Sequence, residues 1–318
     1  MLHRARLAIR ILSLGLMAGT LFSGLAGLHP GLAQEPAAKG SAFTAAASEP
    51  ANGDIIRDVV AGVKNGEHAL YLYERIERVE SRKDAGDAAP QFVKVSRVVP
   101  AGTGMAKIPL GADGKPGDAD AYRDELTRLL NSLEWAARTG EPQQRDAYQK
   151  VQKKQKDRDE LIDATKSAFL FTYVDSEPRG DRMLSKYRME PNPSFKSTNR
   201  TTSIFSRVKG FVWVDEATHE LARVEGEVTE DISLGLFLAK VYKGSHFMQE
   251  RYEMAPGLWL PSYTQYDFDG RKFFSSFAVH EKTFYSGYKK IGTPAEAIPQ
   301  IQSEIAGLES RKSAQNRQ

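Results

Sequence analysis

The chain has no cysteine among its 318 residues. Thiol catalysis, thiolate metal sites, disulfides and a lipid anchor on an N-terminal cysteine are all excluded, so the core must hold the fold unaided. Histidine is sparse. His3 and His29 fall in the N-terminal segment, and His68, His219, His246 and His280 lack the close spacing of common zinc ligands. No G-x-x-x-x-G-K-[ST] phosphate loop and no G-x-S-x-G elbow occurs. A hydrolytic site would have to be assembled from distant residues such as His246, His280 and an acid. Asp267-Phe-Asp269-Gly270 resembles the start of a calcium loop, but position 276 is Ser where that loop needs Glu, and Asp269-Gly270 reads as a hairpin turn. The expectation is a protein that is not an enzyme, with no metal and no cofactor.

Charge of one sign is also lacking. The formal net charge is +3, and residues 1–33 hold three arginines and no acid, so the remainder is 3 − 3 = 0. A neutral chain removes the simplest case for nucleic-acid binding, which needs a basic face. Long apolar runs are missing beyond the N-terminus. Arg4, Arg6 and Arg10 lead into an apolar stretch over residues 11–28 that ends in Gly31-Leu32-Ala33. This pattern predicts a secretory signal over residues 1–33, cleaved after Ala33, and a periplasmic or secreted protein. His29 and Pro30 interrupt the stretch, and a stable span needs about 20 mostly apolar residues. No membrane span is expected after signal removal. Residues 34–53, rich in Ala, Ser, Glu, Pro and Gly, read as a flexible tether.

Folding signals begin at Asp54. Ile55, Val59 and Val63 recur at helical spacing, and Asn65-Gly66 predicts the stop. Residues 68–80 and 92–99 alternate as strands. Residues 100–117 hold five glycines and three prolines and read as a loop. A helical-hairpin insertion over residues 118–164 follows. Its first helix carries Tyr122, Leu126, Leu129, Leu130 and Leu133 as an apolar stripe. Its second is polar around residues 150–156, either an anionic docking surface or a solvated face balanced by Asp157, Asp159 and Glu160. From Ser167 to Tyr285 short alternating segments separated by Gly, Pro, Asn or Asp turns predict an antiparallel meander, with residues 201–208 and 234–243 among its strands. No repeat of fixed length occurs. Thr293-Pro294-Ala295-Glu296 is a capping box opening a last helix, and residues 313–318 form a disordered tail.

The fold class expected is α+β: a strongly curved antiparallel sheet, an open half-barrel of roughly ten strands in one domain over residues 54–312, with helices covering the concave face. The aromatics on the strand series form either an ordinary sheet core or the lining of an apolar cleft. The lining assigned to the concave face is Phe211, Trp213, Val224, Val228, Phe237, Val241, Phe247, Trp259, Phe273 and Phe277. Arg223, Glu225 and Glu227 are assigned to the opposite, solvated face.

Element order and short motifs carry a resemblance. Gly210-Phe211-Val212-Trp213-Val214-Asp215 followed by Glu220-Leu221-Ala222-Arg223-Val224-Glu225 resembles a "G-x-x-W-[IV]-D … L-x-R-[IV]" signature of exported proteins of environmental bacteria. Pro191-Asn192-Pro193, Lys243-Gly244-Ser245 and Leu258-Trp259-Leu260-Pro261 fit the same group. The chain is thereby similar to the half-barrel superfamily of LolA-like periplasmic lipoprotein carriers, their outer-membrane receptor, mycobacterial lipid-binding lipoproteins and regulators that sense envelope lipids. The resemblance implies a binding protein for a lipid, acyl chain or lipidated peptide. The chain departs from the carrier pattern in its greater length and larger polar hairpin. An envelope sensor or assembly factor, binding another envelope protein through its sheet and helical hairpin, is the alternative.

Overall fold

A computed structural model describes residues 52–85, 89–138, 140–198, 201–234, 239–272 and 275–315. The expected signal, the tether up to residue 51, and Phe237 and Phe273 lie outside the described residues.

The first helix, α1 (Asn52–Ala69), buries Ile55, Ile56, Val59, Val60 and Val63 along one face. It does not stop at Asn65-Gly66 as the sequence predicts, because tertiary contacts hold its last turn. Glu67 accepts a hydrogen bond from Arg158, and Gly66 lies against the sheet. A Cβ at Gly66 would fall 2.2 Å from Arg251 Nη2 and 2.6 Å from the Trp259 carbonyl, so the glycine permits the close approach. Strands β1 (Tyr73–Arg82), β2 (Phe92–Pro100) and β3 (Met105–Leu110) follow. The third lies inside the segment expected to be a loop. Helix α2 (Ala119–Ala137) is capped by Asp118, whose side chain accepts from the Ala121 amide at 2.7 Å. Helix α3 (Pro142–Ala168) runs directly into β4 (Phe169–Arg179) and β5 (Arg182–Pro191). Residues Thr202–Arg207, expected to be extended, form a 3₁₀ turn that buries Ile204 and Phe205. Then come β6 (Val208–Asp215), β7 (Leu221–Val228), the short β8 (Ile232–Leu234) and β9 (Ala239–Val241), β10 (His246–Ala255), β11 (Leu258–Lys272) and β12 (Ser275–Lys290). Helix α4 (Pro294–Gln315) opens on the capping box, with the Thr293 amide and hydroxyl donating to Glu296 at 2.7 and 2.8 Å. It continues through residues expected to lie in the tail.

The strands form one antiparallel sheet ordered β3-β2-β1-β12-β11-β10-β7-β6-β5-β4, with β9 on β11 and β8 on β9. The two ends do not pair, so the sheet is open, as expected for the fold class. Directly paired residues of an antiparallel ladder point to the same side. One row therefore runs Tyr173, Tyr187, Val212, Val224, Gln249, Thr264, Thr283, Val79 across eight strands. We call this side the inner face. Helices α1 and α3 cover its β4–β11 part: Ile55, Val59, Val60, Val63, Leu161 and Ile162 meet Val212, Val214, Val224, Val228, Phe247 and Phe268 in one cluster.

The hairpin helices part company. Arg97, Val99 and Ile108 have the opposite parity to Ser96 and Val98, and it is this outer side of β1–β3 that α2 and α4 cover. Of the described helices, α1 and α3 alone cover the face expected to carry them all. Arg97 ties the second layer down. It donates to Glu74 at 2.6 Å, Tyr122 at 2.7 Å and Glu304 at 2.8 Å, joining β2 to β1, α2 and α4. Burial pulls the Arg97 pKa down, but the two carboxylates outweigh it and hold the guanidinium charged.

Candidate functional site

The inner face has an apolar half and a polar half. In the apolar half Gly210 and Gly226 sit opposite each other, and the Phe247 ring lies where a Cβ on Gly226 would be, 2.2 Å away. The Phe277 ring covers Gly270 in the same way. Glycines here make room for rings on neighbouring strands. Val224, Val228 and Val241 are fully buried beside Phe247, and Phe277 packs against this cluster.

Phe211, Trp213 and Trp259 are not on this face, contrary to the sequence assignment. Trp213 is paired with Arg223 and Phe211 with Glu225, whereas Val212 is paired with Val224. Trp213 therefore shares the outer face with the very charges expected to oppose it. It is nevertheless buried, at 4% exposure, in a cluster with Leu184, Ala222 and Trp259. Cations close this cluster from outside. The Arg223 guanidinium lies 4.9 Å from the Trp213 ring, Lys186 Nζ 5.1 Å from the same ring, and Arg182 4.9 Å over Trp259. Two of these cations also reach carboxylates from over the rings: Arg223 pairs with Glu225, and Arg182 with Asp215 and Glu253. A bulge at Trp213/Val214 also puts Ala222 on this side next to Arg223.

The polar half of the inner face lies under the C-terminal turn of α1. Gln249 and Arg251 follow Phe247 along β10, at 0% and 1% exposure. Arg251 Nη2 donates to the Trp259 carbonyl at 3.0 Å, and its Nη1 stands 3.7 Å from Glu67 of α1. Its Nε and Nη1, and both amide atoms of Gln249, find no hydrogen-bond partner among the described residues. Arg75 donates to Glu77 at 2.9 Å and Lys107 to Glu77 at 2.6 Å, while Arg75 Nη1 is likewise unpartnered among the described residues. Burial lowers the Lys107 pKa against the pull of Glu77. Tyr285 and Thr264 meet at 3.2 Å, and Tyr288 donates to the Pro261 carbonyl at 2.8 Å. Burial raises the Tyr288 pKa, and Arg75 and Arg251 both act on it from within electrostatic reach. Glu220 presses against Gly62 of α1, where a Cβ would fall 2.1 Å from its Oε2. Burial pushes the Glu220 carboxyl up to about 7, with Arg251 opposing and Glu253 and Asp215 adding to the shift.

The histidines expected as part of a hydrolytic cluster do share a face. His246 is paired with Asp267 and Asp267 with His280 on the outer side, and His280 Nδ1 lies 3.1 Å from Asp267. This supplies an oriented imidazole. Among the described residues no hydroxyl is hydrogen-bonded to either ring, and no group of three or more His, Asp or Glu is placed to hold a metal ion. Two open cavities of about 420 and 380 Å³ lie away from the inner face, one between β3 and α2, the other between α2 and α4. No helix of the described residues is long and apolar enough to cross a membrane.

No protein-family model and no curated protein matches the chain. Among solved structures it is similar to a LolA superfamily protein from Nitrosomonas europaea, at 11% identity and a TM-score of 0.28, over 77% of this chain and 96% of that one. The open-sheet architecture stands on the strand pairing itself.

None of this marked the polar half in the sequence. Gln249 and Arg251 alternate with Glu250 and Tyr252 and read as part of an ordinary solvated strand. Pairing Gln249 with Val224, a non-local fact, is what turns them inward.

Proposed function

We propose that this protein is a non-catalytic, exported binding protein for an apolar ligand, a lipid, acyl chain or lipidated peptide, held against the inner face of the sheet. The observation that supports it most is the way that face is closed. Among the described residues its apolar half is covered over β7 and β11 by α1, with α3 packed into the same cluster beside it. Three side-chain ties at the margin of α1 are polar and partly exposed: Asp58 to His219 at 3.0 Å, Lys64 to Asp163 at 2.9 Å and His68 to Asp159 at 3.0 Å. A ligand chain takes the place of the aliphatic stripe of α1, so that one apolar contact is exchanged for another. Each buried CH₂ contributes about 0.8 kcal/mol, enough for a long acyl chain to compete with five aliphatic side chains. Val224, Val228, Val241, Phe247 and Phe277 are the residues we assign to the apolar wall. Mass spectrometry of lipids co-purified with the exported protein tests this reading. A protein that carries no lipid and ignores fluorescent fatty acids would exclude it.

One observation favours a second reading, in which the sheet binds another envelope protein. Strand β4 is an edge strand, exposed over most of its length, with Leu170 at 50% and Tyr173 at 41% exposure. Such an edge is a template for an added strand. Proline substitution in β4 would then abolish capture of the partner and leave lipid binding intact.

A further inference from the structure

Helix α1 presents more than an apolar stripe to the inner face. One turn beyond Val63 it presents a carboxylate, Glu67, to the buried Arg251. From Ile55 to Glu67 the helix advances about 18 Å at 1.5 Å per residue, comparable to the reach of a long acyl chain. Aliphatic body and anionic end lie in one line on the sheet, and they meet complementary surfaces: Phe247 and the valines, then Gln249 and Arg251 two and four residues further along β10.

The complement of the carboxylate is incompletely used. Glu67 accepts its short hydrogen bond from Arg158 on Oε2, and its Oε1 has no hydrogen-bond partner among the described residues. Arg251 keeps two unpartnered donor nitrogens at 1% exposure, and Gln249 keeps a whole unpartnered amide at 0%. Buried donors left unmade cost stability, so a site that retains them is built for something else to complete. The local charge points the same way. Arg75, Lys107, Arg158 and Arg251 line this floor against the acids Glu67, Glu77 and Glu220, four cations to three carboxyl groups.

We propose that Arg251 and Gln249 form an internal site for the oxyanion headgroup, carboxylate or phosphate, of a single-chain amphiphile, and that α1 holds this site as an internal stand-in, its Glu67 in the place of the headgroup. The inference rests on the proposed apolar-ligand function and adds the polarity, sign and direction of the ligand. The headgroup lies toward Arg251 and Arg75, and the chain toward Phe247 and Phe268.

Calorimetric titration of the purified protein tests it, with myristate, dodecyl phosphate, the uncharged tetradecanol, and acetate and inorganic phosphate as headgroups without chains. The charged amphiphiles should bind about tenfold tighter than tetradecanol, the scale of one charge-assisted hydrogen-bonded contact. Gln249→Leu and Arg251→Met should shrink that ratio. Glu67→Gln should raise it, because a competing carboxylate is gone; a merely structural Glu67 would change myristate and tetradecanol alike. Should Arg251→Met fail to fold, Gln249→Leu and Glu67→Gln still decide the matter. Equal binding of myristate and tetradecanol, or a ratio untouched by these variants, would overturn the headgroup site and leave the apolar reading standing. Acetate or phosphate binding as tightly as the amphiphiles would reduce the site to one for free anions and overturn the proposal. Failure of every amphiphile to bind would remove both readings.

Discussion

The two faces of β6 and β7 are closed by opposite means. On the inner face Val212, Val224 and Val228 are sealed by helix and by apolar contact alone. On the outer face Phe211 and Trp213 are sealed by Arg223 and Lys186, which are themselves only half-buried. The first closure needs another element of the chain in place. The second is supplied by neighbouring residues of the same sheet and persists whatever α1 does. The proposed exchange of α1 for a ligand chain draws on that difference, since it disturbs the inner closure alone.

Substitutions can break that contrast. Phe247→Ala, on the inner face, should cost the most, about 4 kcal/mol, since a ring at 2% exposure is removed from over Gly226. Denaturant titration reads this directly. Trp213→Ala should cost about 3 kcal/mol, because its cover is flexible and collapses into the space. If it cost more than Phe247→Ala, the outer cluster would be the principal core and the contrast would fail. Arg223→Met keeps the stem and removes the charge, so the loss should be within about 1 kcal/mol and should vanish in high salt. The smallest effect is on pH. Glu220 is protonated more readily folded than unfolded, so it favours the fold at low pH, and that advantage is lost as pH rises from about 4.5 toward about 7. Glu220→Gln should flatten this part of the stability profile and stabilise the protein at pH 8. An unchanged slope would mean that Glu220 is solvated beside Gly62.

Much of the fold is legible in local chemistry. Asp118 and Thr293 with Glu296 cap the helices that they announce, and Gly180, Gly244 and Gly257, all at positive φ, mark the turns. What local chemistry could not reveal was set by partners distant in sequence. The parity of Trp213 depends on whether Arg223 or Val224 stands opposite it, and a bulge changes the answer within one strand. Strand β3 is short, lies at the edge, and is bracketed by Gly104 and Gly111, so it looks like loop. The apolar members of the candidate site, Val224, Val228 and Phe247, were recognisable by alternation. Arg251 and Gln249 were not, since alternation alone cannot say which side of a strand faces a helix.

The glycines of α1 carry one further consequence. Gly66 is required where the helix meets the Trp259 carbonyl, and Gly62 leaves room for the end of the Glu220 side chain. In water each lowers intrinsic helicity by about 1 kcal/mol relative to alanine, and an isolated helix of this length is already marginal. Away from the sheet, then, the segment has little reason to keep its shape. Were the proposed ligand to displace it, its return to the sheet would carry the entropy of ordering as well as the gain of contact.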